Sequence, residues 1–210
     1  MSDPPDLPLE PLSDHHGFDR GTPLDRWYIE RFLTEHREVI RGSVLEVHDD
    51  AYAMRFGADR VTTTTVVDID ASNPRATLIV DLSKPASLPA HTYDCIILTQ
   101  TLHLLHRPEL CVENCYRGLQ SGGVLLATAP SLSRVSPSSP DIDFWRFTPA
   151  GLAELFESRW RGEFSVRAFG NLSTCVGFLV GHVVEELSEA LLEYEDPRFP
   201  LTAAVYATKP

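Results

Sequence analysis

Glu46 and Asp68 stand 22 positions apart, and each lies at the end of a short apolar run, Ser43-Val44-Leu45-Glu46-Val47 and Val66-Val67-Asp68. That interval is close to the roughly 20 residues separating a first nucleotide-binding turn from the carboxylate that accepts ribose hydroxyls. The pair therefore suits a nucleoside. Where glycines are expected after Glu46, the chain reads His48-Asp49-Asp50-Ala51-Tyr52. His48 with its two aspartates could orient a substrate, hold a ligand's amine and carboxylate, or supply half of a metal site. Three consecutive ligands seldom share one coordination sphere, so no metal is expected. Gln100-Thr101-Leu102-His103 begins where the run Tyr93–Leu98 ends, at the edge where open α/β sheets bind ligands. His103 is the candidate proton acceptor; its other reading is a histidine packed at a helix start or touching the nucleoside. Trp145 and Arg146 follow a Ser/Pro-rich loop, and their ring face and guanidinium either meet a substrate or stack on each other.

These groups need a sheet to hold them. Runs of four to six residues rich in Val, Ile and Leu read as strands buried on both faces, as in a parallel sheet covered by helices. The spacing predicts strands at 43–47, 64–69, 76–80, 93–98, 124–129, 164–169 and 201–208. A helix at 108–119 provides the crossover that parallel neighbours require. Apolar residues spaced by three and four predict an amphipathic helix over 24–40, Thr148-Pro149 starts another running to Trp160, and a long one is expected over 174–192. Residues 1–22, with Pro4, Pro5, Pro8 and Pro11, are expected to form a mobile leader, leaving 23–210 as one domain.

Eighteen Lys and Arg against 30 Asp and Glu give a formal charge of -12, which disfavours electrostatic capture of nucleic acid or an anionic membrane. The longest apolar stretch, Cys175–Val184, is broken by Gly177, Gly181 and His182 and is far short of the roughly 20 residues that span a bilayer. Four cysteines lack any CxxC pair and no secretory signal precedes them, so a reduced, cytoplasmic protein is expected. Cys111 and Cys115 share one helical face and are expected to pack in the core.

The acid-tipped second strand, Asp81-Leu82, Tyr93-Asp94-Cys95-Ile96-Ile97-Leu98 and Leu119-Gln120-Ser121-Gly122-Gly123-Val124-Leu125-Leu126 together resemble the class I S-adenosylmethionine-dependent methyltransferases. Asp143-Phe144-Trp145-Arg146-Phe147-Thr148 looks like a segment of its small bacterial members. The likeness extends over about 43–208. It implies a Rossmann-like α/β fold, a seven-stranded sheet with helices on both faces, parallel except for an antiparallel last strand. It further implies S-adenosylmethionine as cofactor, with Asp68 on the ribose, Asp81 and Leu82 beside the adenine, Gln100 bordering the adenosine, and Glu46 and His48 with the methionine portion. Tyr52, Trp145 and Arg146 are expected to face the acceptor. The family's acid-x-Gly-x-Gly-x-Gly turn is altered here, with His48, Asp50 and Tyr52 at the glycine positions, although glycine is what lets a ligand sit against backbone.

The function implied is methylation of an O or N atom of a small molecule, such as a secondary metabolite or saccharide; the oligomeric state is left open, with a homodimer among the options. The altered turn keeps two alternatives open. One is a repurposed enzyme, such as a cyclase or isomerase using His48 or His103. The other is a noncatalytic partner subunit.

Overall fold

The computed structural model describes residues 9–136 and 140–210. Residues 1–8 of the expected leader and 137–139 of the Ser/Pro-rich loop lie outside them. Seven strands form one sheet: β1 (Gly42–Val47), β2 (Val61–Asp68), β3 (Leu78–Ile79), β4 (Tyr93–Thr99), β5 (Leu119–Pro130), β6 (Phe164–Phe169) and β7 (Thr202–Thr208), in the spatial order β3-β2-β1-β4-β5-β7-β6. The pairs among β3, β2, β1, β4 and β5 are parallel, and β7 runs antiparallel to both β5 and β6. This is the Rossmann-like arrangement expected.

Apolar runs without polar alternation require cover on both faces, and the sheet receives it. Leu45, Ile96, Leu98 and Leu125 point into a core closed by α2 (Pro108–Gly118) and α3 (Pro149–Glu157). Their neighbours Val44, Cys95, Ile97 and Leu126 point the other way, into a core closed by α1 (Leu24–Glu35) and α4 (Leu172–Val180). All four cysteines are free and buried, Cys111 and Cys115 in the first of these cores. Among the described residues no helix is long and apolar enough to cross a membrane.

Local chemistry sets the helix starts. Proline opens both α2 and α3, where its missing N–H has no partner to lose. Thr148 Oγ1 caps α3 by accepting the Gly151 N–H at 3.1 Å. Asn171 and Thr174 close a reciprocal capping box on α4, each accepting the other's backbone N–H at 3.0 Å.

Three expected elements are much shorter than the sequence suggested, and α3 ends at Glu157, three residues before Trp160. The long helix over 174–192 ends at Gly181, which adopts φ +98°, a left-handed cap followed by a separate short helix α5 (Glu189–Glu193). The first helix stops at Glu35 and gives way to a single tight turn at Arg37–Val39. The third strand covers only Leu78–Ile79, although the Thr77 and Val80 N–H groups also reach Val66 O and Asp68 O at 2.9 Å.

Residues 9–22, expected as part of a leader, lie along the end of α4 and the loop after it. Leu12 N–H donates to Val180 O at 2.7 Å, Val184 N–H donates to Thr22 O at 2.9 Å, and Ser13 is buried. The Thr22 hydroxyl donates to Glu185 at 2.7 Å, and Arg20 pairs with Glu186.

Candidate active site

Strand order reverses between β1 and β4, so the loops leaving their carboxyl ends diverge and open a crevice. A cavity of about 930 Å³ occupies it, within the range of small-molecule sites. Its wall gathers Glu46, His48, Tyr52, Asp68, Asp81, Leu82 and Gln100, seven of the residues singled out from the sequence.

Glu46 closes β1 from inside. Tyr52 and Ala53 donate backbone N–H groups to its carboxylate at 3.2 and 2.7 Å, which shapes the turn that replaces the glycine loop. It is 3% exposed, and burial pushes its pKa up to about 7 despite those two hydrogen bonds. A cation arriving beside it would favour its ionised form.

Asp68 ends β2 with both oxygens engaged. Oδ1 accepts the Asp70 N–H at 2.9 Å, and Oδ2 accepts Asn73 Nδ2–H at 2.6 Å while His48 Nδ1 lies 3.1 Å away. Burial works against its charge, but the bonds from Asp70, Asn73 and His48 outweigh it and hold the carboxyl below its ordinary range. His48 thus grips the very acid that the resemblance assigns to the ribose. It does so from φ +75°, the left-handed region that costs a side-chain-bearing residue and suits glycine. Its side chain is 77% exposed, so moving it off Asp68 disturbs little packing. Gln100, at the end of β4, also has positive φ, +46°. Its Nε2–H donates to Asp25 at 3.2 Å and its Oε1 is buried without a partner.

Asp81 accepts both the Ser83 hydroxyl, at 2.5 Å, and the Ser83 N–H, at 2.8 Å. The hydroxyl bond leads in holding its carboxyl below the usual range. Beside it Leu82 supplies an apolar wall.

The remaining expected residues lie elsewhere. His103 is absent from the cavity wall; its Nδ1 is buried without a partner, and its carbonyl accepts the Phe144 and Trp145 N–H groups at 2.9 and 3.2 Å. Burial drives its pKa down to about 4. Trp145 lines a separate shallow cleft of about 420 Å³ between α2 and α3, and its indole N–H donates to Leu105 O at 2.9 Å. Arg146 neither stacks on that indole nor reaches the cavity. It makes a forked pair with Asp143 and donates to the carbonyls of Ser133, Arg134 and Trp145. Both residues fasten the described parts of the loop, 131–136 and 140–147.

Sequence reading missed the wall contributed by Phe18, Arg26, Glu30, His106 and Phe144. Only the fold brings them in: residues 18–30 cover the crevice from the amino-terminal side, whereas no local pattern marks them. His106 was within reach, three residues beyond the histidine chosen.

The sequence model of the "Methyltransferase domain" family matches residues 44–127, under half of the chain. Among solved structures, the fold is similar to a SAM-dependent methyltransferase from Archaeoglobus fulgidus, at 13% identity over 88% of this chain and 94% of that one, with a TM-score of 0.58. It is also similar to the [4+2]-cyclase SpnF, at 15% identity over 91% and 84% of the two chains and a TM-score of 0.59. The CurJ carbon methyltransferase gives 13% identity, 92% and 57% coverage, and a TM-score of 0.55. At these identities the likeness is one of fold. No curated protein matches the sequence.

Proposed function

We propose that this chain is an S-adenosylmethionine-dependent methyltransferase that acts on an O or N atom of a small molecule. The observation that carries the reading is the convergence of Glu46, Asp68, Asp81, Leu82 and Gln100 on one cavity at the switch point. The residues fit the cofactor: a buried carboxylate for an ammonium, an acid at the end of β2 for sugar hydroxyls, and an apolar side chain with an acid beside it for adenine. When bound, S-adenosylmethionine supplies an electrophilic methyl group on a sulfonium centre. Asp68 accepts from the sugar once His48 swings away, and Glu46 balances the ammonium. Phe18, Ile142 and Phe144 give the wall an apolar side where an acceptor would enter.

Methyl transfer gains much from positioning and needs a base only when the nucleophile carries a proton. The placement of His103 behind the wall gives no support to its expected role as proton acceptor. We assign proton acceptance to His106, which lines the cavity and meets Phe144 edge-on, ring centroids 5.4 Å apart. A net charge of -12 and a wall rich in carboxylates favour neutral or cationic acceptors over nucleic acid. Four buried free thiols accord with a reducing, cytoplasmic location.

Calorimetric titration with S-adenosylhomocysteine tests the reading: micromolar binding is expected, and Asp68→Asn should weaken it at least tenfold, the loss of hydrogen bonds to a charged acceptor. A flat titration of the native chain would overturn it. The altered turn, with His48 in a conformation suited to glycine, favours a second reading, a methyltransferase fold turned to other chemistry, as the name cyclase states for SpnF. It separates cleanly, because it predicts cofactor binding with no methyl group consumed.

A further inference from the structure

The cavity wall divides by charge. Its carboxylates, Glu30, Glu46, Asp49, Asp68 and Asp81, all stand on α1 or at the ends of β1, β2 and β3. Beyond Gln100 the wall is Thr101, Leu104, Leu105, His106, Ile142 and Phe144, with no carboxylate, lysine or arginine among the described residues. Asp143, between two of these, has its carboxylate held by Arg146 and the Ser136 N–H. The uncharged side is also apolar and open. Ile142 and Phe144 are 48% and 42% exposed, and Phe18, brought to the same cavity by the amino-terminal segment, is 60% exposed. Large apolar side chains left open together in a cavity mark a place where a ligand's apolar surface is covered. Arg26 steadies one of them: its Cζ lies 5.5 Å from the Phe18 ring centre while Nη1–H donates to the Tyr52 hydroxyl at 3.1 Å. On the uncharged side His106 is the one titratable group among the described residues. Its imidazole is exposed, makes no hydrogen bond among the described residues, and meets the Phe144 ring edge-on.

On the methyltransferase reading above, on which this step rests, the acceptor enters along this side. We propose that it is a neutral aromatic hydroxyl compound, a phenol, with its ring packed on Phe144 and its O–H directed to His106. A cation would give up water here and find no carboxylate in exchange, whereas aromatic rings favour an aromatic body over a saturated one of the same size. The hydroxyl follows from the base. A phenol, with an ordinary pKa of about 10, yields a proton several orders of magnitude more readily than an alcohol as weakly acidic as water, at about 15.7. An amine attacks through its lone pair and leaves a histidine here without a task. In the step, the phenol oxygen bonds to the methyl carbon, the carbon–sulfur bond breaks with its electron pair passing to sulfur, and the O–H proton goes to His106, which returns it to solvent. The products are a methyl aryl ether and S-adenosylhomocysteine.

Binding and turnover test this separately. With S-adenosylhomocysteine present, the full chain in a calorimeter should bind 2-naphthol, with decahydro-2-naphthol about fivefold weaker and 2-naphthylmethylammonium at least about tenfold weaker. Phe144→Ala should weaken 2-naphthol about tenfold while leaving S-adenosylhomocysteine within about twofold. In methyl transfer to 2-naphthol, His106→Gln should lower kcat about 100-fold with KM within about threefold, and the loss should nearly vanish with 4-nitrophenol, which is already ionised at about pH 8. Equal binding of the ammonium or the saturated probe would overturn the inference, and so would a His106→Gln loss of the same size for both phenols. A chain that takes up S-adenosylhomocysteine but neither phenol overturns it while the methyltransferase reading stands; one that binds no S-adenosylhomocysteine fells both. If Phe144→Ala melts early, Phe144→Leu makes the same comparison, since the backbone N–H there keeps its bond to His103 O.

Discussion

His48 bears two costs at once: a backbone conformation suited to glycine and an imidazole resting on the acid reserved for the sugar. Replacing it with glycine removes the Cβ strain, worth about 1 kcal/mol, against the loss of one exposed histidine–aspartate contact worth less. His48→Gly should therefore raise the urea midpoint slightly and tighten S-adenosylhomocysteine a few-fold by freeing Asp68; a lowered midpoint would contradict the strain argument. Glu46 offers a second test. With a pKa near 7, it is largely protonated at pH 6 and ionised at pH 8. An ammonium binds the ionised form, so affinity should rise about tenfold across that interval and the slope should vanish in Glu46→Gln. The same acid also shapes stability without ligand. Its folded pKa lies above the unfolded value, the native chain keeps its proton longer, and its contribution falls as pH rises from about 4.5 to 7. At this scale the sequence was legible where an acid ends a buried strand, because such a residue is both rare and placed by the strand itself. It was illegible at Arg26, whose helix face shows only amphipathicity, and at Arg146, whose donors go to carbonyls that no spacing reveals.

Elements were read well where chemistry is local. The strands followed from runs of branched residues, and the start of α3 followed from Thr148-Pro149. The long helix over 174–192 failed at Gly181, where the signal was present: a glycine in an apolar run can be a packing residue or a left-handed cap, and here it is the cap. Gly181 carries φ +98°, and a Cβ there would approach Ser13 N to 3.0 Å. Gly181→Ala should cost about 1–2 kcal/mol in chemical denaturation and expose residues 9–22 to proteases, since Leu12 is anchored on the last turn of α4. Unchanged digestion would show that the segment is held by its ion pairs instead. The short third strand has a similar origin. Its pairing with β2 extends by single bonds at Thr77 and Val80, but two residues of regular ladder are all that the chain between Asp70 and Asp81 leaves at the edge.

The whole molecule is a sheet buried on both sides, with the crevice at its carboxyl edge roofed by residues 18–30. Fold class and cavity location were legible because both follow from strand order, and strand order follows from crossovers. The roof was legible only in part: α1 was expected as a helix, but no local pattern places it and residues 18–23 over the crevice. His103 makes a prediction at this scale. Held neutral down to a pKa of about 4, it takes up a proton in the unfolded chain first, so native stability should decline as pH falls from about 6.5 to 4. Denaturant midpoints measured across that window should flatten in His103→Asn, and an unaltered slope would place the acid sensitivity elsewhere. The contact between Arg26 and Tyr52 has an evolutionary corollary. Two elements far apart in the chain meet in one hydrogen bond, so the loss of either residue leaves the other's polar group without its partner. Homologous chains that regain a glycine at position 52 should also surrender the arginine at position 26, a paired change that sequencing of relatives can count.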